Sequence, residues 1–492
     1  MQLQTTPIDI GTNRPLVLLH TADADELGAH PLDRVRIEYD HATTTGIVKR
    51  TDELVEQGTA GLTEPLHHIQ GAVEVRLAGT PESVQYVRKK LDDIELRKDE
   101  LETIVRDIHE SRLSDVELSA YVSGVYTNGL SLQETKDLTR AMSDVGEQLR
   151  WDGPVVADKH SIGGVAGNCV TPIIVAIVTE AGLTMPKTSS RAVTSPAGTA
   201  DVMEVFCNVE LSIAEIQSVV EETNGCLVWG GGVDLSPVDD EIIRAENPLS
   251  VDPPGQLMAS VLSKKQSAGS THVVIDIPYG EGAKVESLTA ARELADTFKR
   301  VGEHLDIAVS CAITHGTDPV GLGVGPTLEA RDVLAVLEGD GPESLRLKSL
   351  RLAEMILEHC GVETSATDIL DSGRALERFR RIVEAQNGDP DVTARDLQPG
   401  EESKTISATR DGYVTRVDNR QLCDLARRTG APLDSRAGIV IPRMVGEQVE
   451  EGDELYTIYT ETAAKLTEAV EFAEQLEPVR VRGKADALVE RR

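Results

Sequence analysis

Residues 157–201 read ADKHSIGGVAGNCVTPIIVAIVTEAGLTMPKTSSRAVTSPAGTAD, and two glycine-containing runs in this stretch flank one strongly apolar segment. The first run covers residues 158–168, the second covers residues 189–201, and each combines glycines, hydroxyl side chains and a cation. Glycines let backbone N–H groups approach an anion, hydroxyls donate hydrogen bonds to it, and a cation neutralises its charge. Because only a short apolar segment separates the runs, both are expected to follow neighbouring secondary elements and to meet at one pocket. The stretch therefore predicts two anion positions.

Neither run matches two common nucleotide-binding patterns. No Gly-Lys-Ser/Thr element occurs in them, which excludes a Walker A loop, and the spacing Gly-x-Gly-x-x-Gly is not met, which excludes a dinucleotide fingerprint. A single short glycine run is more often a turn than a ligand site. The second run, rich in Ser and Thr beside Arg191, favours anion binding by the pair.

The sequence around the two runs is typical of an α/β domain, which we assign to residues 151–385. A strand at residues 155–158 leads into the first run, and residues 172–180 are apolar on every side, as in a buried helix. Further strands are predicted at residues 226–229, 271–277 and 307–314, alternating with helices at residues 256–268, 287–301, 327–337 and 345–360. This alternation predicts a largely parallel sheet with its ligands beyond the carboxyl ends of the strands.

Smaller domains are predicted on both sides of this one. Residues 1–84 alternate short β-type runs with polar turns, which indicates a small β domain. Residues 85–150 have helical periodicity, with capping boxes that begin at Ser114 and Ser131, and we expect helices near residues 184–225 to complete this helical domain. A polar linker near residues 386–401 precedes a C-terminal α/β accessory domain, residues 400–492, whose glycine turns suggest a barrel-sandwich-like α+β fold.

Composition limits the partners. The chain of 492 residues carries 83 acidic against 49 basic residues, a formal charge of −34 that disfavours nucleic-acid polymers and anionic membranes. Such acidity with only 3% aromatic residues favours adaptation to high salt, where screening removes the self-repulsion. No apolar run reaches the roughly 18 residues of a membrane span, and the polar start lacks the features of a signal peptide, so a cytoplasmic location is expected. The scattered cysteines predict buried thiols, with no metal site.

Three further residues each have a plain and a functional interpretation. Asp252 precedes a predicted helix, where a carboxylate is ordinarily a cap, but it is also a candidate general acid. Lys264 and Lys284 are either solvated surface charges or anion contacts. Two glycines just before Lys284 favour an anion contact there.

Four motifs in order carry a family resemblance: KHSIGGV at residues 159–165, SSRAVTSPAGT at 189–199, SVLSKK at 260–265 and PVGLGVGPTLE at 319–329. Together they resemble the thymidine phosphorylase, or class II nucleoside phosphorylase, family, over about residues 96–474. The variant PKTSSRAVTS at residues 186–195 and the extra N-terminal domain are similar to an archaeal branch that acts on nucleoside 5′-monophosphates. The resemblance implies a nucleoside phosphorylase/phosphoribosyltransferase fold.

The resemblance also implies a reaction and its residues. A nucleoside 5′-monophosphate, AMP and also CMP or UMP, and inorganic phosphate would give free base and ribose 1,5-bisphosphate, with no cofactor because phosphate is a co-substrate. Asp252 would be the proton donor and Lys264 a base contact. Inorganic phosphate would bind Lys159, Ser161, Ser189 and Thr199. The nucleotide would bind Gly164, Ser190, Arg191, Ala192, Val193, Thr194, Ser195, Thr199, Ser260 and Lys284.

Three positions depart from the family pattern or leave it open. Arg244 is one residue out of register with a base-contacting arginine, and Val170 stands where the family has a phosphate-binding hydroxyl, for which Thr171 is the available substitute. The resemblance further implies a homodimer or larger homo-oligomer.

Other functions stay open on the residues alone. The alternatives are a thymidine or pyrimidine nucleoside phosphorylase and an inert phosphate-binding protein. An anthranilate phosphoribosyltransferase would share the fold, but the acidic metal-binding motif expected of it is absent from the sequence.

Overall fold

A computed structural model of the chain describes residues 1–12, 14–192, 195–249 and 251–483. The chain separates into two compact units: residues 1–145 with 237–260, and residues 146–236 with those from 261 onward. The candidate residues are divided between them. Asp252 and Ser260 belong to the first unit, and the other described candidates belong to the second.

The described residues form strands and helices that are numbered in chain order. The strands are β1 (Gln2–Pro7), β2 (Leu16–His20), β3 (Arg34–Tyr39), β4 (Ala42–Thr51), β5 (Thr59–Leu62), β6 (Ala72–Leu77), β7 (Ala157–Ser161), β8 (Met185–Ser189), β9 (Gly225–Trp229), β10 (His272–Tyr279), β11 (Ala308–His315), β12 (Gly323–Val324), β13 (Glu402–Ser407), β14 (Gly412–Val417), β15 (Gly438–Val440), β16 (Gln448–Val449), β17 (Glu454–Thr460) and β18 (Val479–Arg482). The helices are α1 (Thr21–Leu27), α2 (Ser83–Leu91), α3 (Lys98–His109), α4 (Asp115–Asn128), α5 (Leu132–Asp144), α6 (Thr171–Glu180), α7 (Thr199–Glu204), α8 (Ile213–Thr223), α9 (Pro237–Glu246), α10 (Pro254–Ser267), α11 (Leu288–His304), α12 (Pro326–Glu338), α13 (Glu343–His359), α14 (Ala366–Asp371), α15 (Arg374–Ala385), α16 (Asn419–Arg428) and α17 (Ala463–Ala473).

The first unit begins with a closed barrel. Its strands are hydrogen-bonded in the order β1-β5-β2-β4-β3-β6, and β6 returns to pair with β1. Along β2, β3 and β6 apolar residues occupy alternate positions on one face of each strand, so that they fill the barrel interior: Val17, Leu19, Val35, Ile37, Val73 and Val75.

Helices α2–α5 follow the barrel, and the capping boxes predicted for α4 and α5 are confirmed. The backbone N–H of Ser114 donates to Glu117 at 2.8 Å, and that of Ser131 donates to Glu134 at 2.7 Å. Each box satisfies N–H groups that have no partner within their own helix.

The expected completion of this helical layer by helices near residues 184–225 is wrong. Helices α7 and α8 belong to the second unit. The layer is instead completed by α9 and the start of α10, because Val238 and Ile242, one turn apart on α9, and Ala259 are buried in the same apolar cluster as Leu101 and Leu138.

The sheet of the second unit confirms the predicted α/β class. Strands β7, β10 and β11 run parallel in the order β11-β10-β7, and β8 and β9 form a parallel pair. A parallel bridge between Val156 and Thr184 joins the two groups. Helix α6 packs behind them with every residue from Thr171 to Thr179 buried, as its uniformly apolar sequence predicts.

One strand extends further than expected. Strand β7 continues to Ser161 rather than ending at Asp158, because its pairing with β10 extends to the pair Ser161 and Asp276. Lys159 and Ser161 therefore lie on a strand end and not in a loop.

The C-terminal part of the second unit contains two small antiparallel sheets, β12-β15-β17-β13 and β16-β14-β18. Helices α16 and α17 share one apolar cluster with these strands. Among the described residues, no helix combines the length and apolar character that a membrane crossing requires.

We predict that one buried ion pair stabilises the helical layer. Lys90 Nζ donates to both carboxylate oxygens of Glu134 at 2.9 and 3.1 Å, and both side chains are almost fully buried. Lys90→Met leaves the carboxylate buried without its cation and is expected to cost about 3–5 kcal/mol of stability, measured by calorimetric unfolding. The exposed pair Lys98–Glu102 provides the matched control, since Lys98→Met should cost less than about 1 kcal/mol. Equal losses would contradict the prediction.

Candidate active site

Lys159 is a buried cation at the end of β7. Its side chain is almost completely inaccessible, and its Nζ donates to the Thr171 hydroxyl at 3.4 Å. Burial lowers the pKa of Lys159 to about 8, although the nearby carboxylate of Asp276 opposes this shift. A desolvated ammonium group of this kind attracts an anion more strongly than an exposed one does.

The residue before it, Asp158, is held by a dense set of donors. Its carboxylate accepts hydrogen bonds from Lys265 Nζ at 2.8 Å and from the Ser270 hydroxyl at 2.9 Å, and Lys187 Nζ lies 3.6 Å away. Burial opposes the charged form of Asp158, but Lys265 and Lys187 hold its pKa below the ordinary value. The carboxylate thus fixes β7 to α10 and to the segment before β10.

Ser161 is oriented by a second buried carboxylate. The Ser161 hydroxyl donates to Asp276 at 2.9 Å, and Asn168 donates to Ser161 at 3.3 Å. Asp276 also accepts from the Thr314 hydroxyl at 2.6 Å and lies 3.0 Å from Lys348 Nζ. Burial raises the pKa of Asp276, but Lys348 and Lys159 outweigh it and keep the carboxylate ionised.

The structure brings two of the predicted nucleotide residues together. Gly164 has a φ of +87°, and a β-carbon there would lie 2.6 Å from the backbone nitrogen of Lys284. Only glycine permits both the conformation and the close approach. Gly164 therefore holds the first glycine run against the segment that carries Lys284.

The second run follows β8 and is tied together by one carboxylate. Asp201 accepts hydrogen bonds from the backbone N–H groups of Ala192 and Gly198, both at 2.7 Å. Ser189 ends β8, and its buried hydroxyl has no hydrogen-bond partner among the described residues. An unsatisfied buried hydroxyl beside a loop of backbone donors is available to a ligand.

The other described hydroxyl candidates of this run are at least partly accessible. Ser190 and Ser195 are exposed, and Thr199 is the first residue of α7. Val193 and Thr194 lie outside the described residues.

The guanidinium group of Arg191 is occupied by protein carboxylates. It donates to both oxygens of Glu204, at 2.5 and 2.7 Å, and to Glu210 at 2.9 Å. It also lies over the ring of Trp229, 4.9 Å from the centroid.

Asp252 is exposed and precedes α10, the helix that carries Ser260 and, four residues later, Lys264. Arg244 on α9 pairs with Glu241 at 3.0 Å. No group of three or more His, Cys, Asp or Glu side chains in the described part of the chain is arranged to hold a metal ion.

Val170, which departs from the family pattern, and Thr171, its available substitute, differ in their surroundings. Val170 is fully buried in the apolar cluster behind the sheet, whereas Thr171 places its hydroxyl beside Lys159. The hydroxyl next to the buried ammonium group is thus supplied one position later in the chain.

Sequence reasoning did not assign roles to Asp158, Asp276, Lys265 or Lys348. One signal was present, because Asp276 is a charged residue in the otherwise apolar strand HVVIDIPY, and such a residue needs a buried partner. That partner is Lys348 on α13, and only the tertiary fold brings it to Asp276.

Comparison with known families agrees with this architecture. Residues 84–146 match the family described as "Glycosyl transferase family, helical bundle domain", and residues 153–241 match "Glycosyl transferase family, a/b domain". Residues 413–476 match "Pyrimidine nucleoside phosphorylase C-terminal domain". Anthranilate phosphoribosyltransferase from Thermus thermophilus is similar in fold, with a TM-score of 0.51 and 18% identity, over 61% of this chain and 99% of that chain. The fold and these matches define a pentosyltransferase of the nucleoside phosphorylase type.

Relatives that match over the full length of the chain identify the family within this class of pentosyltransferase. The chain is 61% identical to an AMP phosphorylase of Natronomonas pharaonis over 100% of both chains, and 45% identical to that of Thermococcus kodakarensis over 98% of both. It is 43% identical to the AMP phosphorylase of Methanococcoides burtonii, again over 98% of both chains. The chain belongs to the AMP phosphorylase family.

We predict that phosphate affinity depends on the charge of Lys159. Its pKa of about 8 makes the side chain cationic below that pH and neutral above it. Inorganic phosphate stays a dianion above this pH, so its affinity, measured by calorimetry, should fall by up to about tenfold for each further pH unit. In Lys159→Arg the guanidinium group keeps its charge, and this pH dependence should disappear. A flat profile in the unmodified protein would contradict Lys159 as the phosphate-binding cation.

Proposed function

We propose that this protein catalyses the phosphorolysis of nucleoside 5′-monophosphates, with AMP as the principal substrate and CMP and UMP as others. AMP and inorganic phosphate give adenine and ribose 1,5-bisphosphate. The observation that carries the proposal is the similarity to proteins named AMP phosphorylase over the full length of the chain. The buried cation and hydroxyl groups at the ends of β7 and β8 support it.

Inorganic phosphate binds next to Lys159, Ser161 and Ser189, with Thr199 and the Thr171 hydroxyl as further donors. A phosphate oxygen forms a bond to C1′ of the ribose as the bond from C1′ to the base breaks. The sugar carries positive charge in that transition state, and the negative charge of the held phosphate stabilises it. Lys159 compensates the phosphate charge, and because its own side chain is buried, solvent screens this attraction less.

Asp252 donates a proton to N7 of adenine, so that the base leaves as a neutral molecule. Proton donation of this kind contributes about 10²–10⁴-fold to a rate. Lys264 contacts the base. Asp252 and Lys264 act in this proposal at the base end of the substrate.

The 5′-phosphate occupies the second anion position. The backbone donors and hydroxyls of residues 190–195 and Thr199 bind it, together with Gly164, Ser260 and Lys284. Exposed hydroxyls at Ser190 and Ser195 support this role. We place the protein in the cytoplasm as a homodimer or larger homo-oligomer that works in high salt, without a cofactor.

The substrate assignment is tested by base release. Free base is measured from AMP, adenosine, thymidine and uridine, with and without phosphate, in high-salt buffer. Phosphate-dependent release from AMP, and not from the three nucleosides, is the expected result, because only AMP fills both anion positions. Release from thymidine or uridine would instead indicate a pyrimidine nucleoside phosphorylase, and release from none would indicate an inert binding protein.

The general-acid assignment predicts a specific loss in Asp252→Asn. The amide has the same size but cannot deliver the proton, so kcat should fall by about 10²–10⁴-fold while AMP binding, measured by calorimetry, is retained. Asp240→Asn, at another exposed aspartate in the first turn of the neighbouring helix α9, serves as a control for the substitution itself. Unchanged turnover in Asp252→Asn would refute the assignment.

A further inference from the structure

The side chain of Arg191 lies inside the proposed 5′-phosphate loop but is directed to protein carboxylates. Its two terminal nitrogens make a bidentate pair with Glu204, and the second also reaches Glu210. The Asp201 carboxylate lies 3.5 Å from the first nitrogen. Bidentate carboxylate pairing with stacking on Trp229 uses the planar geometry that distinguishes arginine from lysine.

The surroundings of Arg191 also differ from those of the phosphate-binding candidates. Arg191, Glu204 and Trp229 line a cavity of about 990 Å³ together with Thr327 and Arg436. None of the described residues Lys159, Ser161, Ser189, Thr199, Lys264 and Lys284 lines this cavity. Ala192, the next residue of the same run, also lines this cavity, so the cavity distinguishes Arg191 from the described inorganic-phosphate candidates but not from its own run.

One of these carboxylates, that of Asp201, also bonds to the backbone of the run. Asp201 accepts hydrogen bonds from the backbone N–H groups of Ala192 and Gly198, and so ties residue 192 to the residue just before α7. Gly198 packs so closely that a β-carbon would lie 2.5 Å from the carbonyl oxygen of Ser190. Arg191 connects this turn to α7 through Glu204 and to the following segment through Glu210.

We infer that Arg191 is a positioning residue: its ion pairs with Glu204 and Glu210 fasten the described start of the proposed 5′-phosphate loop, residues 190–192, to α7 and to the segment that follows it, and its guanidinium group does not contact the phosphate. The inference rests on the proposed function, since it concerns the nucleotide's 5′-phosphate. If so, the preference for nucleotides over nucleosides depends in part on the carboxylates of Glu204 and Glu210. Both of these would, as simple charges, repel the ligand.

Two variants test this role, and the second separates it from direct phosphate contact, because the two roles predict opposite changes in KM for AMP when the carboxylates are removed. Arg191→Gln removes the cation, and the double variant Glu204→Gln/Glu210→Gln removes its partners. If Arg191 positions the loop, both should raise KM for AMP about tenfold or more, with kcat and KM for inorganic phosphate little changed. If Arg191 binds the phosphate, removing the competing carboxylates frees it, and the double variant should lower KM for AMP.

The measurements are made in at least about 1 M salt, where the screening length is about 3 Å and the general effect of removing two negative charges is suppressed. Arg346→Gln is the matched control, because Arg346 makes a single ion pair with Asp371 at 2.6 Å and is 31% exposed, against 30% for Arg191. Its KM for AMP should not change. Calorimetric unfolding of each variant identifies any general loss of folding.

The outcomes remain distinct if the proposed function fails. Wild-type protein that binds AMP but releases no adenine would refute the proposed function. The variants are then compared with the wild-type protein by their Kd for AMP instead of KM. Wild-type protein that does not bind AMP would overturn both proposals. A lowered KM or Kd in the double variant, or unchanged values in both variants, would overturn the positioning role alone.

Discussion

The buried carboxylate of Asp158, bound to the ammonium group of Lys265, determines the geometry of the site in the second unit. Removing both charges from water costs several kcal/mol per ion, and only close pairing with further hydrogen bonds compensates that cost. Ser270 and the backbone N–H of Lys159 supply those bonds. Strand β7 is therefore fixed where it ends, and because successive side chains on a strand point to opposite faces, Lys159 projects away from Asp158 toward Thr171.

This arrangement divides the charges of the protein into two groups that respond differently to salt. The formal charge of −34 is spread over the chain, and the exposed part of it is screened within a few ångströms in concentrated salt. The pair Asp158–Lys265 is buried, and in the pair Asp276–Lys348 the carboxylate is buried and the lysine side chain is only 11% exposed, so solvent ions screen both pairs much less. A binding site whose cations are buried can therefore retain its attraction for anions under conditions that remove long-range electrostatics.

Local sequence signals predicted those parts of the fold that depend on local physics. The capping boxes at Ser114 and Ser131 and the uniformly apolar helix α6 follow from patterns within a few residues. Strand β1 was not predicted, since QLQTTP has no apolar alternation and depends on pairing with β5, more than fifty residues away. The candidate anion residues came from motifs, but the partners of Arg191, 13 and 19 positions later, depend on how the chain turns between α7 and β9.

The closed barrel at the start of the chain also has a consequence for association between copies. An open sheet exposes unpaired N–H and C=O groups that can pair with another chain, and charge repulsion between acidic molecules ordinarily discourages such contacts. Concentrated salt removes that repulsion. Because β6 pairs with both β1 and β3, the described barrel presents no open strand edge. Its protection against aggregation therefore comes from the backbone topology and does not depend on ionic strength.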